Sequence, residues 1–153
     1  MYPGPCAQLI VLDAYVVIAF LRDEPAADEL ASLMRSDDVS LTAVGLGDVV
    51  DHLIRLAGVD EDDVFLDLAE LGLNDALPID AQAAGLAGRL RARYYHRSRC
   101  AVSMADCLAA AAAHERAVPL ATSDPHLLDL CHAERIDTIV LPSTNGTRWS
   151  PST

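Results

Sequence analysis

The chain contains no lysine: its eleven positive charges are all Arg, set against 23 Asp and Glu for a formal net charge of −12. That absence excludes a phosphate-binding P-loop, a Schiff-base enzyme and a response-regulator receiver domain, each of which needs an amine in its pocket. Cysteine is sparse. The four present (Cys6, Cys100, Cys107, Cys131) form no Cys-x-x-Cys pair, and no basic-then-apolar leader opens the sequence, so a reduced cytoplasm is the expected location. The longest apolar stretches, Leu9–Leu12 and Ala14–Leu21, are split by Asp13 and are too short to span a membrane.

What is present fits one folded domain: 153 residues, 52% hydrophobic and 22% charged, enough to bury a core without help. The charge is uneven, because residues 1–88 carry 17 acids against 3 Arg while residues 89–153 carry 6 acids against 8 Arg. So acidic a chain does not bind a polyanion unaided, since that affinity rests on cations neutralising phosphates. A nucleic-acid role therefore requires metal ions or the Arg-rich segment.

Apolar periodicity alternates strands with helices. Strands are expected at Leu9–Leu12, Val39–Leu41, briefly at Leu77–Ile79, at Pro119–Ala121 and at Ile136–Leu141. Helices are expected at Ala14–Leu21, from Pro25 through Met34, from Thr42 to near Gly58, over Asp60–Leu71, Ala81–Tyr95 and Ser103–Arg116, and from Pro125 to about Glu134. Met1–Ala7 reads as a loose lead-in and residues 142–153 as a mobile polar tail. The alternation predicts a three-layer α/β/α domain over residues 1–141 with a mainly parallel sheet of about five strands. In such sheets ligands bind outside the carboxyl ends of the strands.

Four carboxylates are placed to meet at that rim: Asp13 after the first strand, Asp124 after the strand at 119–121, Asp106 in the first turn of the helix after Ser103, and Asp48 in the second turn of the helix after Thr42. Each has a simpler reading. Asp13 and Asp124 suit helix N-caps, Ser103-x-x-Asp106 resembles a capping box, and Asp48 suits a solvated helix face. In combination, four such groups in one pocket repel one another unless cations neutralise them, and all-oxygen ligation suits Mg²⁺ or Mn²⁺. That is the chemistry of a metal-dependent nuclease.

At these residues the chain resembles the PIN-domain ribonucleases, in particular the VapC-type toxins of bacterial toxin–antitoxin pairs. The resemblance runs through Val11-Leu12-Asp13-Ala14 with Glu24-Pro25, Leu41-Thr42-Ala43-Val44 with Asp48-Val49-Val50, Ile79-Asp80, Ser103-Met104-Ala105-Asp106-Cys107-Leu108, and Ala121-Thr122-Ser123-Asp124. Asp48 stands where the family carries Glu, and Tyr15 where it carries a small polar residue. The resemblance implies an endoribonuclease acting as a toxin. Asp13, Asp48, Asp106 and Asp124 would be its catalytic and metal-holding residues, with Mg²⁺ or Mn²⁺ activating water for in-line attack on RNA. It also implies that Thr122 orients a ligand, that the chain forms a homodimer, and that a cognate VapB-like antitoxin covers the acidic groove.

Arg89, Arg91, Arg93, Arg97 and Arg99, interleaved with Tyr94, Tyr95 and His96, form the basic segment expected to grip RNA. The simpler reading is a solvated helix end. His114, His126, His132 and Cys131 lack zinc-ligand spacing. Two other functions stay open: a catalytically weak PIN-like module acting through a protein partner, and a phosphatase, which the missing Asp-x-Asp at Asp13-Ala14-Tyr15 disfavours.

Overall fold

The computed structural model describes residues 7–152 of the chain, so the lead-in expected at Met1–Ala7 lies almost wholly outside the described residues. Four strands, β1 (Leu9–Leu12), β2 (Asp38–Ser40), β3 (Leu120–Thr122) and β4 (Thr138–Val140), pair in parallel in the order β2-β1-β3-β4. Seven α-helices accompany them among the described residues: α1 (Ala14–Leu21), α2 (Ala27–Ser36), α3 (Ala43–Asp51), α4 (Glu61–Glu70), α5 (Ala81–Tyr94), α6 (Met104–Arg116) and α7 (Pro125–Glu134).

The central strand explains the layering. Successive residues of β1 point to opposite faces. Ile10 and Leu12 enter a core with Val16 and Val17 of α1, Leu30 of α2, Val49 of α3 and Leu68 of α4. Val11 enters a second core with Leu90 of α5, the alanines of α6, and Leu127 and Leu130 of α7. Being covered on both sides is why the strand reads as an unbroken apolar run. Ala109 to Ala113 are all buried, so the alanine run of α6 is a packing surface.

Two expectations are corrected. The fifth strand at Leu77–Ile79 reduces to one parallel bridge, Leu77 to Thr42, in which Ala43 N–H donates to the Leu77 carbonyl at 2.8 Å; Pro78 has no N–H with which to extend a ladder. The helix expected to run unbroken from Thr42 to near Gly58 changes after Asp51 into a π-helical turn at His52–Leu56. That turn keeps Leu53 buried while Leu56 is exposed.

Candidate active site

Three of the acids singled out above belong to the N-terminal caps of helices, two of them just after strands β1 and β3 and the third in the first turn of α6. Asp13 caps α1, its Oδ1 accepting from Tyr15 N–H at 3.4 Å. Ser103 and Asp106 form a reciprocal capping box on α6, with Ser103 N–H donating to Asp106 Oδ2 at 2.8 Å. Asp124 caps α7, its Oδ1 accepting from His126 N–H at 2.8 Å, with Pro125 in the first turn. Capping and site chemistry are therefore not alternatives. The cap occupies one carboxylate oxygen and holds the group still, while Asp106 Oδ1 and Asp124 Oδ2 have no hydrogen-bond partner among the described residues.

Asp13, Asp106 and Asp124 line one cavity of about 350 Å³ together with Tyr15, Ser123, Pro125, Ser143 and Thr144. Asp48 joins Asp13 and Asp106 around an adjoining space of about 230 Å³ that Tyr15, Asp51 and His52 also line. Asp13 is the innermost, with 6% of its surface exposed. Burial pushes its carboxyl up to about 7 from 3.8, and the like charge of Asp106 adds to the rise. Burial also raises Asp106, with the Asp124 and Asp48 charges contributing, and raises Asp48 beside Asp51.

Thr122 links two of these acids. It is fully buried, its hydroxyl donates to Asp13 Oδ2 at 2.8 Å, and the same oxygen accepts from Asp124 N–H at 3.1 Å. Its two hydrogen bonds set the orientation of carboxylates around the cavity.

A scan against protein-family models matches the PIN domain over residues 10–133. The chain is a member of the PIN-domain family. No curated protein matches it. Among solved structures, a member of the VapBC toxin–antitoxin family from Mycobacterium tuberculosis, VapBC-5, is 26% identical, with a TM-score of 0.60 over 86% of this chain and 98% of that one. FitAcB from Neisseria gonorrhoeae is 22% identical, with a TM-score of 0.60 over 84% and 95% of the two chains. VapBC2 from Rickettsia felis, solved with a DNA fragment from its promoter, is 14% identical, with a TM-score of 0.59 over 86% and 98%. These last two likenesses speak for the fold alone.

The PIN domain's donor set fits a hard divalent cation, because every candidate ligand is a carboxylate oxygen and the innermost one is held at an energetic cost that a cation relieves. Among the described residues no three His, Cys, Asp or Glu side chains stand close enough to share an ion. A Mg²⁺-type site needs fewer, since that ion keeps several waters and takes one or two carboxylates from the protein.

None of the Arg residues expected to bind RNA lines either space of this PIN domain. Arg91 lies over the Tyr95 ring at 4.3 Å and donates to the Val102 carbonyl at 3.1 Å, while Arg93 pairs with Glu134, which also accepts from the Tyr94 hydroxyl. Both tie α5 to neighbouring chain. Arg97 and Arg99 stay exposed with no ion pair among the described residues, in a turn closed by His96 and Cys100. Arg89 is exposed beside Gln82 and His114. Sequence reasoning missed Ser143 and Thr144. No period or motif marks them, and only the path of the chain after β4 brings them to the cavity.

Proposed function

We propose that this PIN domain is a metal-dependent endoribonuclease serving as the toxin of a toxin–antitoxin pair. The observation that carries the reading is Asp13: a buried carboxylate held by Thr122, facing one cavity with Asp106 and Asp124, and with no cationic side chain paired to it among the described residues. The charged form of such a group costs the fold stability, because an unpaired buried charge destabilises the protein that holds it. Likeness to a member of the VapBC toxin–antitoxin family supports the toxin assignment, and the family resemblance adds a VapB-like antitoxin as the partner that would cover this cavity.

Asp13 and Asp106 would hold the ion, with Asp124 and Asp48 on either side contributing charge or further ligands. Mg²⁺ or Mn²⁺ supplies Lewis acidity that activates water and neutralises charge developing on a phosphodiester. The chain's own part is positional. Thr122 keeps Asp13 Oδ2 turned inward, and the caps of α6 and α7 prevent Asp106 and Asp124 from swinging away. Burial holds the Asp13 carboxyl up at about 7, so a bound cation would favour its charged form. The exposed Arg97 and Arg99, with Tyr95, are the groups available to hold the flanking RNA strand.

The test is incubation of the purified chain with RNA and Mg²⁺ or Mn²⁺. Internal cleavage is expected, with loss of activity on EDTA addition and a drop on the order of a thousandfold in Asp13→Asn. An unaltered rate in Asp13→Asn would remove the assignment. An inert wild-type chain, purified free of any partner, would instead favour the binding-module reading.

A further inference from the structure

We propose that residues 143–149 form a strap that supplies one wall of the carboxylate cavity and guides the RNA strand into it, with Thr144 touching the strand and Arg148 and Trp149 as positioning residues. The proposal rests on the ribonuclease reading above and adds to it a determinant outside the catalytic acids. The strap also lies beyond residues 10–133, the part matched to the PIN family.

The strap is rooted at the site. Leu141 N–H donates to the carbonyl of Thr122 at 3.0 Å, the residue whose hydroxyl holds Asp13. Leu141 and Pro142 are buried, so the chain emerges at Ser143 already beside the carboxylates, and Ser143 and Thr144 line the same cavity as Asp13, Asp106 and Asp124.

The strap then closes on itself. Ser143 N–H donates to the Thr147 carbonyl at 2.8 Å and Gly146 N–H to the Ser143 carbonyl at 2.9 Å. Gly146 takes φ 82°, a left-handed conformation that side chains resist. Asn145 Oδ1 accepts from Thr147 N–H at 3.1 Å and from the hydroxyls of Ser143 and Thr147. The Thr144 hydroxyl has no partner among the described residues, although its neighbours Ser143 and Asn145 are satisfied.

Two anchors hold the far end, one on each side of the sheet. Arg148 pairs with Glu29 of α2 and donates to the Val140 carbonyl at 3.1 Å. Trp149 Nε1–H donates to Asp129 of α7 at 2.8 Å, and its ring meets His132 edge-on at 5.8 Å. Because α2 packs in one core and α7 in the other, the strap crosses the open edge of β4 and bridges both layers.

The chemistry of the wall fits a phosphate chain. Residues 143–147 carry no charge, and the donors not used within the strap are the Thr144 hydroxyl, the Asn145 side-chain NH₂ and the N–H groups of Thr144 and Asn145, of the kind that position phosphates and sugars without reading sequence. Opposite stand three carboxylates. An anionic strand approaches along the neutral wall, leaving the acids to the cation.

The experiment measures kcat and KM on a labelled oligoribonucleotide pool of random sequence with Mg²⁺ for wild type, Arg148→Glu, the charge swap Glu29→Arg with Arg148→Glu, and Thr144→Val. Amide exchange at Ser143, Gly146 and Thr147 reports whether the strap is held. Arg148→Glu should free the strap and raise KM about tenfold with kcat kept within about twofold, as expected for losing a charged anchor. The swap should restore both KM and exchange protection. Thr144→Val should raise KM about threefold with the strap still protected. An active wild type whose KM is indifferent to Arg148→Glu and Thr144→Val overturns the strap proposal alone. So does a fall in kcat that the swap does not rescue. A wild type inert on RNA overturns the ribonuclease reading and this proposal with it.

Discussion

The acid rim and the Arg segment carry opposite charges and are treated in opposite ways by the fold. At the rim, Asp13 is buried among like charges with hydroxyl and N–H partners but no Arg, and its carboxyl rises to about 7. In the Arg segment, by contrast, Arg91 and Arg93 of α5 are engaged by a ring, a carbonyl and a carboxylate, and Arg97 and Arg99 of the following turn face solvent. A basic segment thus divides into fold-holding and free members. A carboxylate cluster left without a protein cation keeps its electrostatic cost, and that cost marks the functional site.

The comparison can be broken most decisively through stability. The folded-state pKa of Asp13 lies above its unfolded value, so the folded protein binds the proton more tightly. Its stability contribution is complete below about pH 4 and is lost as pH rises from 3.8 through about 7. The full loss is on the order of 4 kcal/mol. Urea unfolding of cation-free protein at pH 5 and pH 8 should show roughly 2–3 kcal/mol of that fall, the rest being lost below pH 5; Asp13→Asn should remove most of it, and Mn²⁺ should offset it at pH 8. Arg93→Ala should leave the pH profile unchanged. A wild-type profile flat over this range would mean the rim carries no such cost.

A smaller effect is expected at Thr122. Replacing it with Val keeps the volume and removes the hydroxyl that orients Asp13, which should weaken Mn²⁺ binding tenfold to a hundredfold by titration, with Thr122→Ser recovering most of the loss. Equal affinity in the Val variant would show that burial alone sets Asp13. The smallest effects belong to the Arg segment. Arg97→Ala and Arg99→Ala should each weaken RNA binding a few-fold and lower the salt slope by about one. Arg93→Ala should leave the slope unchanged, because that side chain is occupied by Glu134. If Arg93 matters as much as Arg97, the division of the segment fails.

Much of the architecture was legible before the structure. β1 is a short apolar run whose alternate residues fill two cores, and Ser103, Asp124 and Pro125 are strong local start signals for helices. The acids at 13, 106 and 124 were legible as a group because each sits where a strand or loop enters a helix, and parallel topology collects such junctions at one rim. The π-helical turn at His52–Leu56 was not legible, since the apolar spacing of Leu46, Val49, Val50 and Leu53 suits an ordinary helix. Nor was the identity of the carboxylate that Thr122 holds, which lies 109 positions away in the chain. The segment expected to be a mobile tail contains the contacts of Arg148 and Trp149, which no local pattern encodes.

The sequence by itself determined the layered α/β class, the acids that end its strands and the lack of a lysine to neutralise them. These follow from residue type and short-range spacing. Only the tertiary structure decided that Asp13 is the buried member, that Thr122 serves the carboxylates, that Arg91 and Arg93 are occupied, and that residues 143–149 return to the cavity. Desolvation, like-charge proximity and long-range hydrogen bonds depend on which distant segments become neighbours, and that is settled when β1, β3 and β4 pair side by side.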